Sequence, residues 1–282
     1  MGRWERSKQL TKASWALLRH DKELMLLPLI SGIASLAIGA TFLVPAFLTA
    51  KGTDVAGETT LEPSVVSYVL LFAMYLALAY VAIFFKVAVL CGADQRMRGE
   101  NPSLGSALSG ASAHAGKLLP WAVVSATVSV ILRAIEERVG LLGQIVVGII
   151  GVAWAVVTFL VLPVLVFEGV GVGEAIKRSA TMLKQTWGEN LLVNMGIGLI
   201  AFLLILPAVV VAGGAAVTGS LPVIAVGVAL AVAWVIAVTC WSTAMTAIFQ
   251  LTLYRYATQA ALPAEFATVD LSQAFRHKGA RR

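Results

Sequence analysis

The chain has 282 residues, of which 59% are hydrophobic and only 13% are charged, and its mean hydropathy is +0.88. Soluble domains carry about 25% charged residues. This composition therefore excludes an ordinary soluble enzyme or binding domain and indicates an integral membrane protein. The net charge is +6, and the two cysteines, Cys91 and Cys240, lack the spacing of a metal-binding or redox motif.

Six apolar segments follow one another along the chain, and a helix of about 20 such residues crosses a bilayer. The predicted spans are residues 24–50, 64–91, 118–135, 139–167, 191–211 and 221–250. The first apolar segment exceeds the roughly 7–15 residues of a signal peptide's apolar region, so we expect it to be retained. The sequence therefore predicts one integral membrane domain over residues 1–282, of the all-α class.

Basic residues are distributed unevenly among the polar stretches between the spans. The stretches on one side hold 18 of the 21 Lys and Arg residues, and those on the other side hold three. Cytoplasmic loops of membrane proteins carry such an excess of positive charge. We therefore expect a multi-pass protein of the cell (inner) membrane with both termini in the cytoplasm.

An internal repeat precedes the odd-numbered spans. Residues 10–27 align without gaps to residues 175–192, and a weaker copy begins near Ser106. The repeat predicts three helical hairpins, each preceded by a short amphipathic cytoplasmic helix. The alternative is that the matches reflect only the usual composition at the start of a span. The aligned pairs include Lys12 with Lys177, Ser14 with Ser179, and Arg19 with Lys184.

The short helices before the spans carry cations and tryptophans suited to the bilayer surface. Ile176, Ala180 and Leu183 fall on one stripe of a helix and predict an apolar face. That face either lies among acyl chains or packs on the end of the bundle, and both can hold together. Anionic headgroups attract cations, and indole rings prefer the headgroup level. The residues predicted to contact lipid headgroups are Lys12, Trp15, Arg19, Lys177, Lys184 and Trp187.

Motifs of catalysis, cofactor binding and metal binding are missing from the sequence. No Asp or Glu lies well inside a predicted span, and all three histidines lie in predicted cytoplasmic stretches. Ion-coupled transporters usually keep a buried ionisable group in their pathway. We therefore assign no catalytic, cofactor-binding or metal-binding residue and expect no cofactor. Asn194 is costly to expose to lipid, so it is predicted to make an intramembrane polar contact, with another helix or with a substrate.

Three groups of residues carry a family resemblance. They are residues 6–7, 10–14, 17–19, 21–24 and 28–32, residues 174–179 and 187–188, and residues 253–257 with Phe266. With these segments, nearly the whole chain resembles a family of uncharacterised prokaryotic integral membrane proteins with six spans. More distantly, it is similar to the membrane domains of Yip-type proteins and of some glycerophosphodiester phosphodiesterases. The resemblance implies a fold and a membrane location, and it brings no established activity.

These observations favour a non-enzymatic inner-membrane protein with a lipid-interacting or scaffolding role. The expected partners are membrane lipids, with anionic headgroups at the cytoplasmic face, and a protein that the sequence does not identify; nothing indicates nucleic acid binding. The alternative is a transporter or channel for a small or lipid-like solute. A transporter needs a polar cavity near the middle of the membrane that solvent can reach, whereas a scaffold can be packed with small apolar side chains.

The charge distribution predicts which loops face the outside of the cell. Cysteine introduced at Thr53 should react with a membrane-impermeant thiol reagent in intact cells, whereas cysteine at Ser103 should react only after the membrane is opened. Labelling is measured by a mass shift on a gel, with the unsubstituted chain as the control for Cys91 and Cys240. The reverse pattern would show that the topology is inverted.

Overall fold

The computed structural model describes residues 24, 26–48, 51–55, 58–62, 64–185 and 189–258. Within these residues the chain forms nine helices and two short strands. In chain order they are α1 Leu26–Leu48, β1 Lys51–Val55, β2 Glu58–Glu62, α2 Val65–Met97, α3 Leu104–Ala113, α4 Ala115–Glu136, α5 Leu141–Val157, α6 Val161–Phe167, α7 Val172–Gln185, α8 Glu189–Val217 and α9 Leu221–Ala257. The strands pair antiparallel between α1 and α2, in a segment that the sequence predicts as a loop.

In the described part of the chain, six helical segments are long and apolar enough to cross a membrane, which confirms the predicted helical membrane class. They are Leu26–Pro45, Val65–Met97, Ala115–Glu136, Leu141–Phe167, Ile200–Val217 and Pro222–Ala257. Helix α1 packs on α2, α4 on α5, and α8 on α9. The first predicted amphipathic helix lies outside the described residues. The arrangement as three hairpins, each with its own amphipathic helix, stays a prediction.

Helices α2 and α9 are longer than a membrane crossing requires. They have 33 and 37 residues. At about 1.5 Å per residue they are about 50 and 55 Å long, against a hydrocarbon core of about 30 Å. Both continue past the ends of the predicted spans, at residues 91 and 250. Each helix therefore extends beyond the hydrocarbon at one end.

The turns of α2 and α9 on either side of residues 91 and 250 are buried in protein. Every residue of 87–94 and of 247–255 is buried, and α3, α6 and α7 pack around them. We call this assembly the cap: residues 87–97, α3, α6, α7 and residues 244–257. Close approach is possible because of Gly92, where a Cβ would lie 2.4 Å from Leu24 Cδ2 and 3.3 Å from Ala107 Cβ.

Away from the cap, the helices present apolar side chains to their surroundings. Leu36 is 77% exposed and Leu142 is 82% exposed. An apolar surface of this extent is typical of a protein whose solvent is lipid. Helix α5 shows the pattern most clearly, because Val147 is the one buried residue among its 17.

The fourth span is interrupted where α7 docks. Helix α5 ends at Val157 and α6 begins at Val161, so that Pro163 lies in the first turn of α6, where its missing N–H costs little. The buried hydroxyl of Ser179 donates a 2.6 Å hydrogen bond to the Val157 carbonyl and accepts a 3.1 Å bond from the Leu160 N–H. Two backbone groups that the break frees are thus satisfied, and α7 is fixed at the level of the break.

Ser179→Ala should destabilise the protein, because one side chain satisfies two buried backbone groups. Each unsatisfied buried group costs about 1–3 kcal/mol. In thermal unfolding in detergent, followed by tryptophan fluorescence, we expect the melting temperature to fall by at least about 4 °C. Thr181→Ala is the matched control, since Thr181 is exposed and bonds to the Lys177 carbonyl of its own helix. Equal shifts in both variants would mean that the docking bond contributes nothing.

Candidate functional site at the cap

Helix α7 has one buried face and one charged face. Ala175, Ser179 and Leu183 are buried against the cap. Lys177 and Lys184, two helical turns apart, are exposed on the other side. Part of this face therefore packs on the bundle, and its predicted contact with acyl chains stays a prediction.

The docking bonds place α7 beside the cap-facing end of α5. Helix α5 has 17 residues. It is therefore about 26 Å long, close to the hydrocarbon thickness of about 30 Å. Ser179 is bonded at the end of α5 that faces the cap. Lys177 and Lys184 lie within five residues of Ser179, so both lie beside this end of α5.

The other cation of α7, Arg178, is already paired. Its guanidinium bonds to Glu174 at 3.0 Å and also pairs with Glu168, the residue that ends α6. The hydrogen bonds from Glu174 and Glu168 raise the pKa of Arg178 above its ordinary value. Lys177 and Lys184 form no ion pair within the described part of the chain. They are therefore the two cations of α7 that remain for an outside partner.

A buried ion pair joins the two long helices. Arg255 of α9 is 9% exposed and Asp94 of α2 is 5% exposed. The guanidinium donates to Asp94 Oδ1 from Nη2 at 2.6 Å and from Nε at 3.2 Å. It also donates to the main-chain carbonyls of Asp94 at 3.3 Å and of Met97 at 3.4 Å. Arg255 thus neutralises the carboxylate and caps the last carbonyls of α2, where the helix dipole is negative.

Further charged groups extend this pair into a cluster on the cap. Arg98, with a side chain 58% exposed, pairs with the other carboxylate oxygen of Asp94. The Tyr254 ring stacks on Phe167, the neighbour of Glu168, with centroids 5.6 Å apart, which links α9 to the end of α6. This cluster was not predicted from the sequence. A usable signal was that Asp94 is the first acid after the second span, and Arg255 the first cation after the sixth.

The structure brings together two of the residues predicted to contact lipid. Lys177 and Lys184 share the exposed face of α7. Asn194 lies in α8, but its side chain is outside what the structure describes. Among the described residues, no group of three His, Cys, Asp or Glu side chains could hold a metal ion. The predicted lipid contacts that lie outside the described residues are Lys12, Trp15, Arg19 and Trp187.

Arg255→Gln should destabilise the protein strongly, because it leaves the buried Asp94 carboxylate without its main partner. Loss of one member of a buried ion pair costs about 3–5 kcal/mol. Arg98→Gln is the matched control, since it removes an exposed arginine from the same carboxylate, and exposed pairs contribute about 0–1 kcal/mol. Melting temperatures in detergent measure both. A fall for Arg98→Gln as large as that for Arg255→Gln would contradict the assignment of Arg255 as the main partner.

Comparison with known proteins assigns the chain to a family but indicates no activity. No curated protein and no solved structure gives a significant match. One family model matches residues 65–262, from the start of α2 to beyond the end of α9, and so includes the whole cap. The match confirms the predicted resemblance to a family without a known function, while the distant likeness to Yip-type and phosphodiesterase membrane domains stays a prediction. The chain belongs to DUF6159, a family of unknown function.

Proposed function

We propose that this protein is a non-enzymatic, multi-pass protein of the cell (inner) membrane that binds anionic lipid headgroups at its cytoplasmic face. Through this contact it organises lipid or holds a protein partner. In this proposal both termini and the cap lie on the cytoplasmic side. The observation that carries it is the position of α7, which Ser179 fixes beside the end of α5 with Lys177 and Lys184 exposed.

The energy of such a contact is modest and depends on charge. Each Lys or Arg near an anionic membrane surface contributes about 1 kcal/mol, so two together favour anionic over neutral lipid by roughly an order of magnitude or more. The aligned first copy of the repeat carries Lys12 and Arg19 at the corresponding positions. We propose that these cations, with Trp15 and Trp187, extend the same lipid-binding surface.

The cap supports a scaffold over a transporter or channel. A polar groove between α4 and α5 is the feature that bears on the alternative, because it could admit a solute. Its inner end is at Trp154, whose ring stacks on Trp121 with centroids 6.3 Å apart. Trp121 is 6% exposed and belongs to the hydrophobic core that continues into the cap. A solute following this groove would therefore meet packed side chains before it crossed the membrane.

The charged groups of the cap support a structural role over a catalytic one. The Asp94 carboxylate binds two arginines, and Glu168 binds Arg178. Groups held in this way lack the freedom of a general acid or base. Within α8, we propose that Asn194 makes a hydrogen bond to a neighbouring helix, as polar residues in membrane helices commonly do.

Neutralising either lysine of α7 should weaken the retention of anionic lipid. Lys177→Gln and Lys184→Gln should each lower it about five-fold, from about 1 kcal/mol per charge. Retention is measured by native mass spectrometry of protein released from nanodiscs containing anionic and neutral lipids. Arg138→Gln is the matched control, because it removes one exposed cation at the end of the molecule away from the cap. If all three variants retain equal anionic lipid, α7 is not the binding surface.

A further inference from the structure

A groove of 660 Å³ separates α4 from α5, and its charged lining residues lie at the end of α4 away from the cap. The two helices follow each other through a turn of only four residues, yet α5 stays exposed on nearly all sides. No atom outside the helix lies within 4 Å of a Cβ built at Gly151, which lines the groove. The space beside α5 is therefore wide enough for a chain of methylene groups.

The lining of the groove changes from charged to apolar with depth. Arg133, Glu136 and Glu137 form its rim at the end of α4. Gly151 and Ala155 lie at its inner end, close to Trp154. From the start of α5 at residue 141 to Gly151 is about 15 Å of helix, and half the hydrocarbon core is also about 15 Å. The groove down to Gly151 thus has the length and the polarity profile of one phospholipid in one leaflet.

The charges of the rim indicate the kind of headgroup. One cation and two carboxylates line it, which disfavours an anionic lipid and suits a headgroup that carries both a phosphate and an ammonium. The Arg133–Glu137 pair has a separation of 3.6 Å and side chains 82% and 71% exposed. An exposed pair of this kind contributes about 0–1 kcal/mol, so a ligand displaces it at little cost.

We propose that the groove binds one zwitterionic aminophospholipid. Its phosphate lies at Arg133, its ammonium at Glu136 or Glu137, and one acyl chain runs past Gly151 towards Trp154. If the cap is cytoplasmic, this lipid belongs to the outer leaflet; that clause alone rests on the proposed function. The proposed headgroup class does not rest on the proposed function, because the charged rim of this groove and α7 lie at opposite ends of the bundle. The rim selects a zwitterionic headgroup and α7 an anionic one.

A second copy of the chain is the competing occupant. Its helix would have to place apolar side chains against Arg133 and the two rim carboxylates, which would lose solvation without gaining a partner. A phospholipid satisfies both signs of charge. The rim therefore favours the lipid, and the oligomeric state enters the test as an outcome.

The test uses the full chain in nanodiscs that contain phosphatidylethanolamine and phosphatidylglycerol with the same acyl chains. Bound lipids are counted by native mass spectrometry. Gly151→Leu fills the groove and Arg133→Gln removes the phosphate contact. A hydrogen bond to a charged group contributes about 1.5–3 kcal/mol, so we expect Arg133→Gln to lower phosphatidylethanolamine retention about ten-fold or more, with phosphatidylglycerol retention unchanged.

Matched controls keep the test independent of folding. Gly148→Leu adds the same side chain three residues earlier, at a glycine that also has open space around it and does not line the groove. Arg138→Gln removes a neighbouring exposed cation. Both controls should retain phosphatidylethanolamine, and all four variants should melt like the unsubstituted protein.

Three results would overturn the proposal. Unchanged phosphatidylethanolamine retention in Gly151→Leu and Arg133→Gln would show that the groove does not bind this lipid. Equal loss of both lipid classes would remove the headgroup selectivity. A dimer mass that Gly151→Leu abolishes would assign the groove to a second copy. The lysine variants of α7 should change phosphatidylglycerol retention alone, so failure of one proposal is distinguishable from failure of the other.

Discussion

Bilayer thickness sets the main constraint on this fold, because α2 and α9 are about 20 and 25 Å longer than a hydrocarbon core of about 30 Å. The turns of α2 and α9 inside the cap include the buried apolar side chains of Leu90, Met245, Ile248 and Phe249. Full burial of one such side chain stabilises the fold by about 1.5–3 kcal/mol. The short helices α3, α6 and α7 cover these turns. The cap therefore follows from the lengths of α2 and α9.

Burial of these helix ends also creates an electrostatic problem, which Arg255 solves. Helix α2 ends inside protein, where its last carbonyls and the Asp94 carboxylate are both negative. One guanidinium bonds to the carboxylate and to the carbonyls of Asp94 and Met97, since its planar fork donates in several directions at once. Lysine could not make the same set of bonds. Within the described residues, the one buried side-chain oxygen without a hydrogen bond is Oε1 of Gln250, so the polar groups of the cap are otherwise well matched.

The sequence predicts the parts of this structure that depend on local composition. Uncharged apolar runs predict the six spans, and the spacing of Ile176, Ala180 and Leu183 predicts the amphipathic pattern of α7. Composition does not say whether lipid or protein covers an apolar turn, so the cap was not predicted. The Asp94–Arg255 pair joins residues 161 positions apart, and only packing brings them together. Pro163 signals a kink, but the break lies before it, where Ser179 supplies the missing hydrogen bonds.

Charge counts along the chain do not reveal which charged side chains are exposed to lipid. The stretch 168–190 holds three bases and three acids, and 133–138 holds two of each, so both are neutral overall. Folding separates these charges in space. Arg178 pairs with Glu168 and Glu174, so Lys177 and Lys184 remain exposed. Arg138 lies outside the groove, whose rim is formed by Arg133, Glu136 and Glu137. The stretch 168–190 thereby presents a cationic surface at one end of the bundle. The stretch 133–138 presents a rim of one cation and two carboxylates at the other end.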